Sequence, residues 1–167
     1  MDDRVIAALV RHQRARADAG HSTADYPPAP ATQADIDELQ GSFGQSLHPE
    51  VRSWFRYANQ PQGVGGTRIL FTGGWTLYGT AGAIEWRDVL SDLHQPDHWE
   101  AVRWLVPLLS DSGVDAVVDA RVETPTEVLI YDPLEDEMLT PFAPTLLDAI
   151  ERWTAEIEPP PDWLARD

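Results

Sequence analysis

The spacing of apolar residues predicts a helix at the start of the chain. Over residues 3–18, Val5, Leu9 and their neighbours recur at intervals of three and four, which places them on one helical face. Gly20 follows as a stop signal. The proline-rich segment after it is typical of an extended linker, because proline fixes φ and lacks an amide proton. We therefore expect an N-terminal helix and linker over residues 1–26.

Two further helices are marked by their start signals. Thr32 is a good N-cap, and Asp35, three residues later, stands where a capping-box acid would lie. Pro49 suits the first turn of the next helix, because that position needs no amide donor. The apolar positions on the predicted buried faces include Ile36, Leu39, Phe43, Val51, Trp54 and Phe55.

The second half of the chain changes to short apolar runs separated by turn residues. Glycines on both sides of residues 69–71 indicate irregular chain around a short apolar piece. A short strand over residues 75–78 and a helix that ends near Pro96 follow. Further strands are predicted over residues 104–109, 116–121, 128–131 and 138–140.

Turns of a few residues join these strands, and this sets their direction. A parallel pair needs a crossover of a dozen or more residues, so the strands must run antiparallel. Thr145 is the predicted N-cap of a last helix. The order predicts an α+β fold, an antiparallel sheet of about four to six strands with helices packed on it. We assign this domain to residues 27–158 and a short proline-rich tail to residues 159–167.

The composition excludes several kinds of chemical site and of binding partner. The 167 residues include no Cys, which excludes disulfides, thiol nucleophiles and thiolate metal sites. Every basic residue is Arg, and 12 of these against 28 acids give a net charge of -16. Residues 84–167 hold 20 of the acids and five of the Arg. Such a field repels phosphate backbones, so nucleic-acid binding is not expected. It could attract a basic protein partner, but on charge alone solubility is the simpler explanation.

The sequence also argues against a secretory signal or a membrane segment. It opens with Met1-Asp2-Asp3, which is acidic where a signal peptide would be basic. The apolar stretch over residues 102–109 is interrupted by Arg103 and Pro107 and is far shorter than the roughly 20 residues that cross a bilayer. We therefore expect a cytoplasmic protein that does not bind a membrane.

Two histidines form a candidate metal pair. His94 and His98 are spaced i, i+4, and Asp92 or Asp97 could add an oxygen ligand. Pro96 lies between them and interrupts the helix that would align them, so we favour surface histidines and predict no metal or cofactor. A metal-dependent hydrolase that uses His94 and His98 is the enzyme alternative.

Two other features could serve a partner. The acidic run over residues 132–137 resembles a calcium loop only in charge, because the glycine and the ligand spacing are missing. It is either a solvated hairpin turn or a patch for a basic partner, and both interpretations stay open. Seven tryptophans are typical of core and sheet packing, but Trp also dominates binding hot spots, so Trp99 and Trp163 are candidates for partner contact.

Several segments together resemble the SUKH superfamily, whose founder is a fungal cell-wall-assembly regulator. In the first half, the resemblance rests on the helix that begins Ala34-Asp35-Ile36 and on Leu47-His48-Pro49-Glu50. In the second half, Trp104-Leu105-Val106-Pro107 precedes a glycine turn and a strand that ends in Asp. The matched positions, which lie within residues 27–158, are Ile36, Leu47, Pro49, Trp104, Pro107, Gly113 and Asp119.

The resemblance implies a bacterial immunity protein that binds and neutralises a cognate toxin, often a nuclease, and has no catalytic activity. The charge agrees, because an acidic inhibitor can cover the positive groove that a nuclease needs for phosphates. A regulatory scaffold of the cell-wall-regulator type is the alternative. The acids that we expect to contact the partner, on loops bounding the strands, are Asp111, Asp115, Glu135, Asp136 and Glu137.

Overall fold

The computed structural model describes residues 3–21, 30–59, 70–93 and 96–158, which form six helices and one six-stranded sheet. The helices are α1 (Asp3–Asp18), α2 (Gln33–Phe43), α3 (Pro49–Tyr57), α4 (Thr80–Leu93), α5 (Pro96–Val102) and α6 (Leu146–Ala155). The strands are β1 (Leu70–Thr72), β2 (Trp75–Leu77), β3 (Leu105–Asp111), β4 (Val114–Asp119), β5 (Val128–Tyr131) and β6 (Leu139–Ala143). The predicted α+β class is confirmed.

Local signals begin the helices where the sequence predicted. The Thr32 side chain accepts a hydrogen bond from the Asp35 N–H, and the Asp35 carboxylate accepts one from the Thr32 N–H at 2.7 Å. Pro49 lies in the first turn of α3. Thr145 caps α6 by accepting a hydrogen bond from the Asp148 N–H at 3.2 Å. These caps satisfy amide donors that the first turn of a helix leaves without an intrahelical partner.

The sheet is an antiparallel meander in which each strand pairs with the next along the chain, in the order β1 to β6. Several strand bounds differ from the prediction. β3 continues to Asp111 and β4 begins at Val114, because Ser112 and Gly113 both have positive φ, 52° and 94°, and close the hairpin in two residues. β6 continues through Pro141, which an edge strand tolerates.

The two faces of the sheet bury different groups of side chains. In β4, Ala116 and Val118 lie in the main core, while Val117 lies on the opposite face, because successive side chains of a strand alternate. On that opposite face, Trp86 and Leu90 of α4 pack over the sheet. We call the group on this face the second cluster, and its buried members are Trp86, Leu90, Val102, Leu105, Val117 and Tyr131.

The N-terminal helix belongs to the main core. Val5 and Leu9 of α1 are fully buried in it, together with Ile150 and Trp153 of α6. The helix predicted over residues 3–18 is therefore confirmed and packs with the elements of the predicted domain.

Two elements differ from the sequence prediction. Residues 70–72 form β1, whereas the sequence predicted only a short apolar piece over 69–71 within irregular chain, and the pairing of β1 with β2 is decided by contact across the sheet. α5 begins at Pro96, where the sequence predicted only the end of a helix. Proline suits both roles, because it disfavours continuation of the preceding helix and is compatible with the first turn of a new one.

Candidate functional site

Three of the turns between strands lie at one end of the sheet. In an antiparallel meander alternate turns share an end, so the β1–β2, β3–β4 and β5–β6 turns lie side by side. They consist of residues 73–74, 112–113 and 132–138. Because neighbouring strands are about 4.8 Å apart, these turns form a row with about 10 Å between one and the next. We call this end of the sheet the hairpin end and the opposite end the connection end.

The first two turns meet at Asp111, the last residue of β3. The Ser112 hydroxyl donates a hydrogen bond to the Asp111 carboxylate at 2.9 Å. A Cβ at Gly74 would lie 2.7 Å from Oδ2 of Asp111, so the β1–β2 turn approaches this carboxylate closely and a larger residue there would require the carboxylate to shift. Asp111 is thus a half-buried carboxylate between two turns of the hairpin end.

The third turn is an ordered loop, which we call the acidic hairpin (residues 132–138). The Asp132 N–H donates to the Met138 carbonyl at 2.9 Å, and the Asp132 carboxylate accepts a hydrogen bond from the Leu134 N–H at 3.0 Å. Such a side-chain bond to the backbone two residues on stabilises a turn. It leaves Leu134 93% exposed at the tip. The exposed carboxylates that follow are Glu135, Asp136 and Glu137.

The strands and turns of the hairpin end carry charge of one sign only. Residues 70–78, 105–119 and 128–143 contain no Lys or Arg. Four of the five predicted contact acids lie at the surface of this end. They are Asp111, Glu135, Asp136 and Glu137. These turns therefore present a negative surface at one end of the sheet.

The placement of Asp115 corrects the sequence prediction. It was expected on a loop, but it is the second residue of β4 and is only 7% exposed. The Tyr78 hydroxyl donates to Oδ1 of Asp115 at 3.0 Å, and the Trp86 indole N–H donates to Oδ2 at 2.7 Å. Burial, and then the negative charge of Asp115, raises the pKa of Tyr131 above its ordinary value. Asp115 therefore connects residues of the second cluster by hydrogen bonds. It lies in β4 and not in a loop because the two-residue hairpin starts β4 earlier than predicted.

At the connection end, several charged groups are paired within the molecule. Arg121 donates to both carboxylate oxygens of Asp119, from Nε to Oδ1 at 3.0 Å and from Nη2 to Oδ2 at 2.6 Å. Partial burial opposes ionisation of Asp119, but these bonds outweigh it and hold the pKa of the carboxyl below its ordinary value. The Arg103 guanidinium lies 4.1 Å from the Trp104 ring centroid and forms an ion pair with Glu100 at 3.0 Å.

A buried polar chain also lies at the connection end, where it joins α3 to α6. The Thr126 hydroxyl donates to Oε2 of Glu50 and accepts a hydrogen bond from the Leu146 N–H at 3.1 Å. Thr126 is 1% exposed and Glu50 is 7% exposed. The contact satisfies a buried carboxylate and the first amide of α6 together.

Trp99, a predicted partner-contact residue, packs within the molecule. The Arg87 guanidinium lies 4.5 Å from the Phe43 ring centroid and 5.0 Å from that of Trp99. Arg87 also donates to the Arg103 carbonyl at 2.7 Å. These contacts and its place beside the second cluster give the half-buried Trp99 a packing role near the connection end, away from the acidic hairpin.

The positions that carry the family resemblance lie in the framework of the fold. Ile36, Leu47 and Pro107 are buried, and Pro49 opens α3. The others, already described in the β3–β4 turn and at the connection end, are Gly113, Trp104 and Asp119.

Only one histidine of the candidate metal pair lies within the described residues. His98 is exposed on α5, whereas His94 and the candidate contact residue Trp163 lie outside the described residues. Among the residues that the structure describes, no group of three His, Asp or Glu side chains is placed to hold a metal ion.

One surface residue was missed by the sequence analysis. Leu134 has the largest exposed fraction, 93%, among the large hydrophobic side chains of the described residues. The signal for it was present in the sequence, because an apolar residue that follows proline inside an acidic turn has no strand partner to bury it.

Comparison with known proteins adds no family or relative. A scan against protein-family models and a search of curated proteins found nothing that matches this chain. In the described parts of the chain, no helix combines the length and the apolar character needed to cross a bilayer. Function is therefore inferred from the geometry and charge of the hairpin end.

Proposed function

We propose that this chain is a non-catalytic acidic binding protein that acts in the cytoplasm as an immunity protein and neutralises a cognate bacterial toxin. The observation that carries the proposal is the hairpin end, where Asp111 and the acidic hairpin present carboxylates on strands and turns that contain no Lys or Arg. The resemblance to the SUKH superfamily supports the same function.

A basic nuclease is the toxin class that suits this surface best. A nuclease holds phosphates in a positive groove, and the carboxylates of Asp111 and of the acidic hairpin, at two adjacent turns about 10 Å apart, can occupy such a groove. Opposite charge also raises the rate of association, by about 10–1000-fold at low salt. Leu134 adds an apolar contact at the tip, and full burial of a leucine contributes about 1.5–3 kcal/mol.

The internal use of the buried carboxylates supports a binding role without catalysis. Asp115 accepts hydrogen bonds from Tyr78 and Trp86, and Glu50 accepts one from Thr126. Each of these contacts joins separate elements of the fold, which is what structural carboxylates do. The carboxylates that face solvent at the acidic hairpin are suited to a protein partner.

The experiment is co-expression with the protein encoded by the adjacent gene, followed by co-purification and a cell-survival assay. The test variant carries Glu135→Gln and Glu137→Gln, which remove two charges from the hairpin end. The matched control carries Glu123→Gln and Glu127→Gln, which remove two charges from exposed positions in the β4–β5 connection. Both variants therefore have the same net charge.

We expect the hairpin variant to bind about tenfold more weakly or worse, and the control to bind as the parent does within about twofold. Parent affinity should fall steeply with salt, because the Debye length shrinks from about 10 Å at 0.1 M to about 3 Å at 1 M. Equal protection by the hairpin variant, or turnover of a substrate by the purified protein, contradicts the proposal. A specific partner with no toxic activity would instead favour the regulatory scaffold.

A further inference from the structure

One part of the second-cluster face is less covered than the rest. Leu129 of β5 pairs with Pro141 of β6, and Tyr131 pairs with Leu139, so these four residues point to the same side of the sheet. Tyr131 is fully covered within the second cluster, at 2% exposure. Leu129 and Leu139 are only half-buried, and Pro141 is exposed. We call the less covered apolar surface, formed by Leu129, Met138, Leu139 and Pro141, the β5–β6 strip.

The β5–β6 strip lies directly beside the carboxylates of the acidic hairpin. Met138 is the last residue of the acidic hairpin, so the carboxylates of Glu135, Asp136 and Glu137 border the strip at the hairpin end of the sheet. Beside it, Asp115 pairs across the sheet with Tyr131, and its two side-chain donors, Tyr78 and Trp86, are uncharged. An apolar surface of this kind is complemented by a partner that carries apolar and basic side chains together.

The way in which a partner can approach is limited by β6, the edge strand. Pro141 has no amide proton, and a proline in an edge strand discourages the pairing of a further strand. A partner is therefore expected to pack its side chains on the face of β5 and β6.

We propose that the β5–β6 strip is a docking surface for a segment of a partner protein in which apolar side chains are followed by Arg or Lys. The inference rests on the proposed function, to which it adds the chemistry of the partner segment. The apolar side chains pack on Leu129 and Leu139, and the basic side chains reach the acidic hairpin.

Two synthetic octapeptides of equal charge test this inference with the full chain. One has four Leu followed by four Arg and the other has four Ser followed by four Arg, and the binding of each is measured by calorimetry. We expect the Arg–Leu peptide to bind about tenfold more tightly, because only its leucines can be buried on the strip. Leu139→Ser should remove most of this preference and leave binding of the Arg–Ser peptide unchanged.

A second variant guards against an effect on folding. Pro141→Ser changes an exposed residue of the strip, and we expect it to reduce the preference for the Arg–Leu peptide by about threefold. The control is Val122→Ser, which changes a 51% exposed aliphatic residue in the β4–β5 connection and should leave the preference unchanged.

Equal binding of the two peptides, or a preference that survives both strip variants, overturns the inference while leaving the proposed function to its own co-expression test. Failure of both peptides to bind overturns it as well. A chain that sediments as a dimer and becomes a monomer on Leu139→Ser also overturns it, because the strip then belongs to an interface between two copies.

Discussion

At the connection end, Asp119 and Glu50 are held by hydrogen bonds from Arg121 and Thr126, whereas at the hairpin end the carboxylates of the acidic hairpin are exposed to solvent. The two ends belong to one sheet, so the same strands carry ionisable groups in two different environments. Partial burial with good donors makes a charge part of the fold. Exposed carboxylates in strands and turns without Lys or Arg contribute little to stability and are available to a partner. We infer that stability and binding are separated along the strands.

Removal of the Thr126 hydroxyl should have the largest effect on stability. Thr126→Val keeps the shape of the side chain but leaves Glu50 without this donor and the Leu146 N–H without its acceptor, both in buried surroundings. We expect the free energy of unfolding to fall by about 2–3 kcal/mol, measured by urea denaturation. Thr140→Val, at an exposed position of β6, is the control and should stay within about 0.5 kcal/mol of the parent. Equal effects of the two variants would show that the connection end contributes no special stability.

A buried histidine in the main core makes the stability of the fold depend on pH. His12 of α1 is fully buried and stacks on Phe71 with 4.0 Å between ring centroids. Burial, and then the positive charge of Arg16, lowers the pKa of His12 from 6.5 to about 3. Between these values the unfolded chain binds a proton that the folded chain does not, so stability falls as the pH falls.

His12→Phe removes this proton and should flatten the pH dependence. Relative to the parent, we expect the variant to gain about 2 kcal/mol of unfolding free energy between pH 8 and pH 5. The measurement is urea denaturation of both proteins across this range. Parallel stability curves would contradict a neutral buried His12.

Loss of the Asp119 carboxylate should have a smaller effect. Asp119→Asn weakens the contact with Arg121, whose side chain is 44% exposed, so we expect a cost of about 1 kcal/mol or less at pH 7. The pKa of Asp119 is lowered in the folded protein, so its contribution is present above the pKa of the unfolded chain and is lost as the pH falls through the folded value. The difference between parent and variant in denaturation experiments should therefore shrink in acid, and a constant difference would point to packing.

The acidic hairpin should show the smallest effect on stability. The variant with Glu135→Gln and Glu137→Gln changes exposed groups, so its unfolding free energy should stay within about 0.5 kcal/mol of the parent, with any change favouring the variant through reduced repulsion. Thermal unfolding at low salt is the measurement. A clear loss of stability would mean that the hairpin charges hold the fold, and the separation between the two ends would fail.

The extent to which sequence predicted this structure depends on how local each signal is. The effects of Thr32, Pro49 and Thr145 are confined to the first turn of a helix, so the starts of α2, α3 and α6 were predicted correctly. β1 is a strand because of its neighbour in the sheet, and a three-residue segment carries no periodicity that would reveal it. α5, with seven residues, is similarly too short for a clear helical pattern.

The candidate site, like the fold, was predictable only where the signals in the sequence are local. The acidic run and its position between two strands were visible in the sequence, and a meander then places its turn beside two others. Asp115 was misplaced because the Ser112-Gly113 pair was taken as part of a longer turn, and a shift of two residues moved its carboxylate from the strand to a loop. The packing of Trp99 with Arg87 depends on contacts between α4 and α5 that no local pattern shows.

The contact between α1 and α6 has a consequence for biosynthesis. α1 is the first of the described elements to be made and α6 is the last, yet Leu9 and Trp153 share one core. While the ribosome is still adding the sheet strands, α1 can pack on α3 but lacks the contacts that α6 supplies. Completion of the core therefore waits for release of the C-terminal helix, and a nascent chain stalled before residue 146 should expose α1 to chaperones and proteases.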